Sequence, residues 1–119
     1  MTQANSQNDG RIDYVEFNVA DVARAKAFYG DVFGWSFKDY GPDYCEFGDG
    51  RLTGGFAAGK PHGGNGPLVI LYANDLTEVQ RRIEAAGGRI VKPAYDFPGG
   101  RRFHFADPDG YQLAVWTAR

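Results

Sequence analysis

Tyr14-Val-Glu-Phe-Asn-Val-Ala20, followed at once by Asp21-Val-Ala-Arg-Ala-Lys-Ala-Phe-Tyr-Gly-Asp-Val32, decides the fold. In the first stretch Val15, Phe17 and Val19 alternate with Tyr14, Glu16 and Asn18, the period of a strand with one buried face. After Asp21 the apolar positions widen to Val22, Ala25, Tyr29 and Val32, the stripe of an amphipathic helix. Both patterns return 54 residues later. Val69, Leu71 and Ala73 repeat the alternation, Asp75 stands where Asp21 stood, and Leu76, Val79, Ile83 and Ala86 repeat the stripe. Each Asp can accept a hydrogen bond from a first-turn amide as N-cap, and Glu78 suits a capping box with Asp75. Gly34 and Gly87-Gly88 can end the helices in the left-handed region.

Three strand candidates follow each helix: near 35–40, 43–47 and 51–57, then near 89–95, 101–106 and 111–118. The last hairpin of each half turns on a similar device, Gly48-Asp49-Gly50 and Asp107-Pro108-Asp109-Gly110. The chain therefore reads βαβββ twice, an α+β fold whose helices pack on one face of a mixed sheet. The polar stretch 1–10 reads as a disordered tail. Residues 11–119 make one domain, with one module over about 11–57, a glycine-rich connection over 58–66, and a second module over about 67–119.

Composition narrows the function. Of 119 residues 43% are hydrophobic, with 9 Phe, 7 Tyr and 2 Trp, enough for a packed core. Thirteen Lys and Arg against fifteen Asp and Glu leave a net charge of −2, which gives no electrostatic case for nucleic acid. The longest apolar run, 68–73, is too short to span a bilayer, and residues 1–10 lack the basic and apolar segments of a secretory signal. The expectation is a cytoplasmic protein without a membrane partner. The single cysteine, Cys45, excludes an internal disulfide and a cysteine-rich zinc site.

The run Val15-Glu-Phe-Asn-Val-Ala-Asp-Val-Ala-Arg-Ala-Lys-Ala-Phe-Tyr-Gly-Asp-Val-Phe-Gly-Trp35 resembles the vicinal oxygen chelate superfamily. That group includes glyoxalase I, extradiol dioxygenases, fosfomycin-resistance enzymes and bleomycin-resistance proteins. Arg102-Phe-His-Phe-Ala-Asp-Pro-Asp-Gly-Tyr-Gln-Leu113 is similar to its closing hairpin. The resemblance implies paired βαβββ units around a cup of sheet, with the helices outside, and a homodimer for a chain this short. It also implies where metal-using members place His, Gln or Glu: at Tyr14 and Leu68 on the first strands, and at Gly54 and Ala114 on the closing strands. Leu, Gly and Ala offer no side-chain donor, and a phenol with a pKa near ~10 is a poor ligand for hard or borderline cations. The expectation is a kept fold with no metal and no other cofactor.

Alternation lists the other candidates. Val15, Phe17, Val19, Val69, Leu71, Phe103, Phe105, Leu113 and Val115 should face the helices. The opposite face then carries Tyr14, Glu16, Tyr44, Glu46, Phe56, Tyr72, Arg102, His104 and Trp116, besides Asn18, Leu52, Gly54, Leu68, Ile70, Gln112 and Ala114. Aromatics mixed with a few ionisable groups make the lining expected of a small-molecule pocket. Tyr14, Tyr44, Phe56, Tyr72 and Trp116 can stack on a planar ligand, while Glu16, Glu46, Arg102 and His104 fix its orientation.

The leading expectation is metal-independent binding, the sequestration of an aromatic or amphipathic metabolite or antibiotic. One alternative is a lyase or isomerase that moves a proton next to a carbonyl, with Glu16, Glu46 or His104 as general base and Arg102 as electrophile. Another is a structural or interaction module whose cup is filled by its own side chains. His62 reads as a solvent-facing residue of the connection. Gly54-Gly-Phe-Ala-Ala-Gly-Lys60 matches part of a phosphate-binding loop, but Pro61 follows and no helix pattern does, so nucleotide binding is not expected. Cys45 falls in a helix-facing phase and should be buried and inert.

Overall fold

The computed structural model describes residues 6–60 and 66–118. They fold as two compact units, one of residues 14–60 with 66–67 and one of residues 6–13 with 68–118. The first carries β1 (Ile12–Val19, its first two residues counted with the other unit), α1 (Val22–Phe33), β2 (Ser36–Asp39), β3 (Tyr44–Gly48) and β4 (Thr53–Ala58). The second carries β5 (Leu68–Tyr72), α2 (Leu76–Ala85), β6 (Arg89–Phe97), β7 (Gly100–Ala106) and β8 (Gln112–Ala118). Each is a βαβββ module, and the α+β reading stands.

The two modules are wired alike. In the first, β4 runs parallel to β1 and antiparallel to β3, which is antiparallel to β2. In the second, β8 runs parallel to β5 and antiparallel to β7, which is antiparallel to β6. The helix of each module is the crossover that lets its first and last strands run parallel.

Local chemistry starts and stops these elements. Asp21 Oδ1 accepts from the Arg24 amide at 3.0 Å, and Asp75 Oδ1 accepts from the Glu78 amide at 3.0 Å, so both aspartates cap as expected. The Glu78 side chain is spent elsewhere, on Arg81 and Arg82. Gly34 ends α1 with φ of +73°, and Ala86 ends α2 one residue before Gly87, whose φ is +97°. The two expected turns share one device. Asp49 Oδ1 takes the amides of Arg51 and Leu52, and Asp107 Oδ1 takes those of Asp109 and Tyr111.

Each module has its own core between helix and sheet. In the first, Val22, Cys45, Phe47 and Phe56 are buried, with Phe17, Val19, Ala25, Tyr29, Trp35 and Phe37 packed against them. Trp35 stacks on Tyr29 at 4.6 Å and on Phe47 at 4.7 Å, and Phe47 lies 4.9 Å from Phe56. In the second, Ala73, Phe103 and Val115 are buried among Leu76, Val79, Ile83, Ile90, Ala94 and Phe105. Cys45 is fully enclosed, and burial pushes its thiol pKa up.

Four expectations need correction. Alternation along the strand places Phe56 on the ligand face, yet it is fully buried on the helix side. Register gives the reason: Phe56 pairs with Phe17 and Cys45, and Gly54 with Val15 and Phe47, so both take the phase of the core. Gly55, paired with Glu16 and Glu46, takes the other face. Second, Val32 leaves the α1 stripe and is 57% exposed, beside exposed Phe28 and Phe33. Third, the tail expected to be disordered over 1–10 is tied down at its end. Gly10 donates to the Tyr72 carbonyl at 2.8 Å and Asp9 Oδ1 accepts from the Asn74 amide at 2.8 Å, which satisfies backbone groups at the end of β5 and just beyond it; residues 1–5 lie outside those described. Fourth, the connection expected over 58–66 begins inside β4, which ends at Ala58; residues 61–65, His62 among them, lie outside those described. The phosphate-loop look-alike from Gly54 is mostly the core strand β4. No helix among the described residues is long and apolar enough to cross a membrane.

Candidate functional site

In the first unit the face opposite the helix is organised by one row of the sheet, Glu16–Gly55–Glu46. Glu16 is buried, and Glu46 is half-buried. Two half-buried tyrosines, one from β1 and one from β3, bring their hydroxyls together over this row. Tyr14 Oη and Tyr44 Oη are 2.5 Å apart, and the Tyr44 hydroxyl donates to Glu16 Oε2 at 3.1 Å. Burial is the main cause that raises both phenol pKa values above the ordinary range, and the Glu16 charge adds to it. Both rings therefore stay protonated at neutral pH. Gly55 makes the meeting possible, since a β-carbon there would collide with both hydroxyls.

In the second unit two rows matter. Tyr72, Trp116, Arg102 and Tyr95 lie side by side across β5, β8, β7 and β6, and Ile70, Ala114, His104 and Lys92 form the next row. Tyr95 is the hub. Its hydroxyl is 2.8 Å from His104 Nε2 and accepts from Arg102 Nε at 2.5 Å. Lys92 Nζ stands 4.2 Å from the centre of its ring. Next to the hub, Trp116 meets Tyr72 edge-on at 5.1 Å and Phe97 at 6.0 Å, and its indole N–H donates to Asp13 Oδ2 at 2.9 Å.

Of the nine expected ligand-face residues, Tyr14, Glu16, Tyr44 and Glu46 are gathered in the first unit, and Tyr72, Arg102, His104 and Trp116 in the second. Phe56 belongs to neither. Tyr95, Phe97, Lys92 and Asp13 were not anticipated. Tyr95 and Phe97 were legible, because they stand out of phase with helix-facing Ile90 and Ala94. Lys92 was not: the six residues of β6 from Ile90 to Tyr95 lie against only four of β7, Phe105 to Arg102, and the two register shifts on either side of Lys92 turn it to the site face. Asp13 reaches Trp116 across 103 residues of sequence, with no local pattern to announce it.

The match to known proteins now has its geometry. A family model described as Glyoxalase/Bleomycin resistance protein/Dioxygenase superfamily matches residues 11–115. The chain belongs to that superfamily. A Mycobacterium tuberculosis relative named "Putative glyoxylase CFP32" is 26% identical over 129 aligned positions, covering 99% of this chain and 49% of the relative. "Anthracycline biosynthesis protein DauV" of Streptomyces sp. (strain C5) is 34% identical, covering 81% of this chain and 42% of its own length. The chain thus spans about half the length of these curated relatives. Among solved structures, the methylmalonyl-CoA epimerase of Mycobacterium tuberculosis superposes with a TM-score of 0.68 at 19% identity, over 91% of this chain and 87% of that one, a likeness of fold.

The superfamily's metal positions can be tested against these residues. Tyr14 spends its hydroxyl on Tyr44, Leu68 and Ala114 are buried, and Gly54 faces the core. By register the first-module counterpart of Ala114 is Gly55, which offers no donor either. One phenol held protonated and three side chains without donors do not fit a divalent cation at those positions. Among the described residues, no three of His, Cys, Asp and Glu gather closely enough to hold a metal ion.

Proposed function

We propose that this superfamily member binds a small planar aromatic or amphipathic molecule without a metal ion, sequestering it rather than transforming it. The carrying observation is that half-buried aromatic side chains have their polar ends tied by hydrogen bonds: Tyr14 to Tyr44, Tyr95 to His104 and Arg102, Trp116 to Asp13. Rings held this way lose little freedom when a ligand stacks on them, which favours affinity. The mismatch between Tyr14, Gly55, Leu68 and Ala114 and any cation supports the metal-free part. The relative named for anthracycline biosynthesis supports the ligand class, since anthracyclines are fused planar aromatics.

The test is titration of the purified protein with 2-naphthol and a hydroxyanthraquinone, followed by tryptophan fluorescence, before and after dialysis against a chelator. Saturable binding unchanged by the chelator is the expected result. Loss of binding on dialysis, restored by a divalent ion, overturns the metal-free reading. A flat response to every aromatic overturns binding and favours an interaction module.

A second reading is favoured by the His104–Tyr95–Arg102 chain: proton transfer next to a carbonyl, in which the Tyr95 oxygen takes the substrate proton as its own passes to His104 Nε2, with Arg102 stabilising the developing oxyanion. Solvent-deuterium incorporation beside the carbonyl of a ketone probe, lost in His104→Ala, would distinguish it from simple binding.

A further inference from the structure

Either hydroxyl of the Tyr14–Tyr44 pair, taken alone, can be the donor. The next bond fixes the direction. Tyr44 donates to Glu16 Oε2, and a phenol has one proton to give. Tyr14 must therefore donate to Tyr44, and the chain runs Tyr14 to Tyr44 to Glu16. The Tyr14 proton is committed to its neighbour, and its oxygen offers the surroundings only lone pairs. Burial keeps both phenols protonated through neutral pH, so the direction does not reverse there. Glu46 shares the row with Glu16 and Gly55, and its charge acts on Tyr14. A negative surrounding favours the positive end of an incoming O–H or N–H dipole.

The pattern is a built one. Tyr14 and Tyr44 come from different strands, and only a residue without a β-carbon at position 55 lets their hydroxyls meet. An ordinary hydrophobic contact between two rings would need neither the glycine nor the buried carboxylate.

We propose that the Tyr14–Tyr44–Glu16 chain is a hydrogen-bond-accepting subsite that selects aromatic ligands carrying a hydroxyl, read through Tyr14 Oη. The subsite rests on the small-molecule reading above and adds the chemical class that reading leaves open. A phenolic ligand donates to Tyr14 and extends the chain by one link. The methyl ether of the same ligand has no proton to give and sets its oxygen against lone pairs.

The experiment compares 2-naphthol with 2-methoxynaphthalene, which share a ring system and differ at the oxygen. Calorimetric titration of the unaltered protein should give about fivefold tighter binding of the naphthol, the weight of one neutral hydrogen bond. Tyr14→Phe removes the acceptor and should bring the two affinities within about twofold. Tyr44→Phe removes the partner that holds the Tyr14 proton, lets that hydroxyl donate outward, and should also reduce the preference; it keeps the subsite testable if Tyr14→Phe does not fold by circular dichroism. Equal affinities in the unaltered protein overturn the subsite and leave aromatic binding standing. A preference that survives in both variants overturns it as well. No binding of either probe overturns the small-molecule reading and the subsite with it.

Discussion

Gly55 lies so close to the hydroxyl of Tyr44 that β4 has room for no side chain there. The ring of Tyr44 leans across the row in which Gly55 pairs with Glu16 and Glu46, and ends on the Glu16 carboxylate. Gly55→Ala must push that ring, and Tyr14 with it, off their hydrogen bonds. We expect a loss of about 1–3 kcal/mol, typical of overpacking a closed site. Tyr44→Phe removes the colliding oxygen, so the double variant should lose less than the sum of the single ones. Urea unfolding of the four proteins measures both quantities.

Phe56 carries the opposite kind of burden. It is fully buried and within 6.4 Å, ring centre to ring centre, of Phe17, Tyr29, Trp35, Phe37 and Phe47. Phe56→Ala should cost about 3–5 kcal/mol through lost burial and the cavity left behind. The ratio of 2-naphthol to 2-methoxynaphthalene affinities should stay as it was at temperatures where the variant is folded. A changed ratio with little loss of stability would return Phe56 to the ligand face.

How far the sequence speaks depends on whether a residue's neighbours are local. The double βαβββ order was legible because alternation, helical stripe and capping Asp recur together at one offset, each fixed by a few adjacent residues. In β1, β7 and β8 the apolar positions also told which residues pack on the helix, Phe17, Val19, Phe103, Phe105 and Val115 among them, whereas the all-apolar β5 buries Leu68, Ile70 and Tyr72 of the opposite face more deeply than Val69 and Leu71. In β4 they could not: Thr53-Gly-Gly-Phe-Ala-Ala58 has no polar–apolar contrast, and only pairing with β1 and β3 sets the phase that buries Phe56. Lys92 was hidden by the bulges of β6, and Asp13 by its distance along the chain from Trp116. The hydroxyl contact of Tyr14 with Tyr44 was hidden too, although alternation gives both residues the phase opposite the helix. Alternation states a direction and says nothing about which side-chain tips converge.

The first turn of α2 supplies a pH-dependent contribution. Hydrogen bonds from Arg81 and then Arg82 hold the Glu78 carboxyl down at about 2, below its ordinary 4.5. A depressed folded-state pKa means stability that is present above about 4.5 and is lost as pH falls towards 2. The group is exposed, so salt should weaken the effect. Thermal melts between pH 5 and pH 2 should therefore fall less steeply in Glu78→Gln than in the unaltered protein, and the difference should shrink at high ionic strength. Parallel melting curves would remove Glu78 from the acid response.

Tyr95 joins two groups that have opposite needs. Its oxygen accepts from Arg102 Nε while the same hydroxyl faces His104 Nε2. A hydroxyl is suited to this place because it can accept and donate at once. With Arg102 Nε donating to that oxygen, the Tyr95 proton is free to go to His104 Nε2, and we predict that it does, with the neutral imidazole carrying its proton on Nδ1. Tyr95→Phe deletes both links while keeping the ring under Lys92. We expect a loss of about 1–2 kcal/mol, the cost of two half-buried polar groups deprived of a partner. A double-mutant cycle with His104→Ala should give a coupling of about 0.5–1.5 kcal/mol. Nitrogen-15 spectra of the imidazole provide the second readout: the Nδ1–H form should dominate in the neutral ring of the unaltered protein and lose that dominance in Tyr95→Phe. A zero coupling, or a tautomer indifferent to the phenol, would separate Tyr95 from His104 and dissolve the chain on which the proton-transfer reading depends.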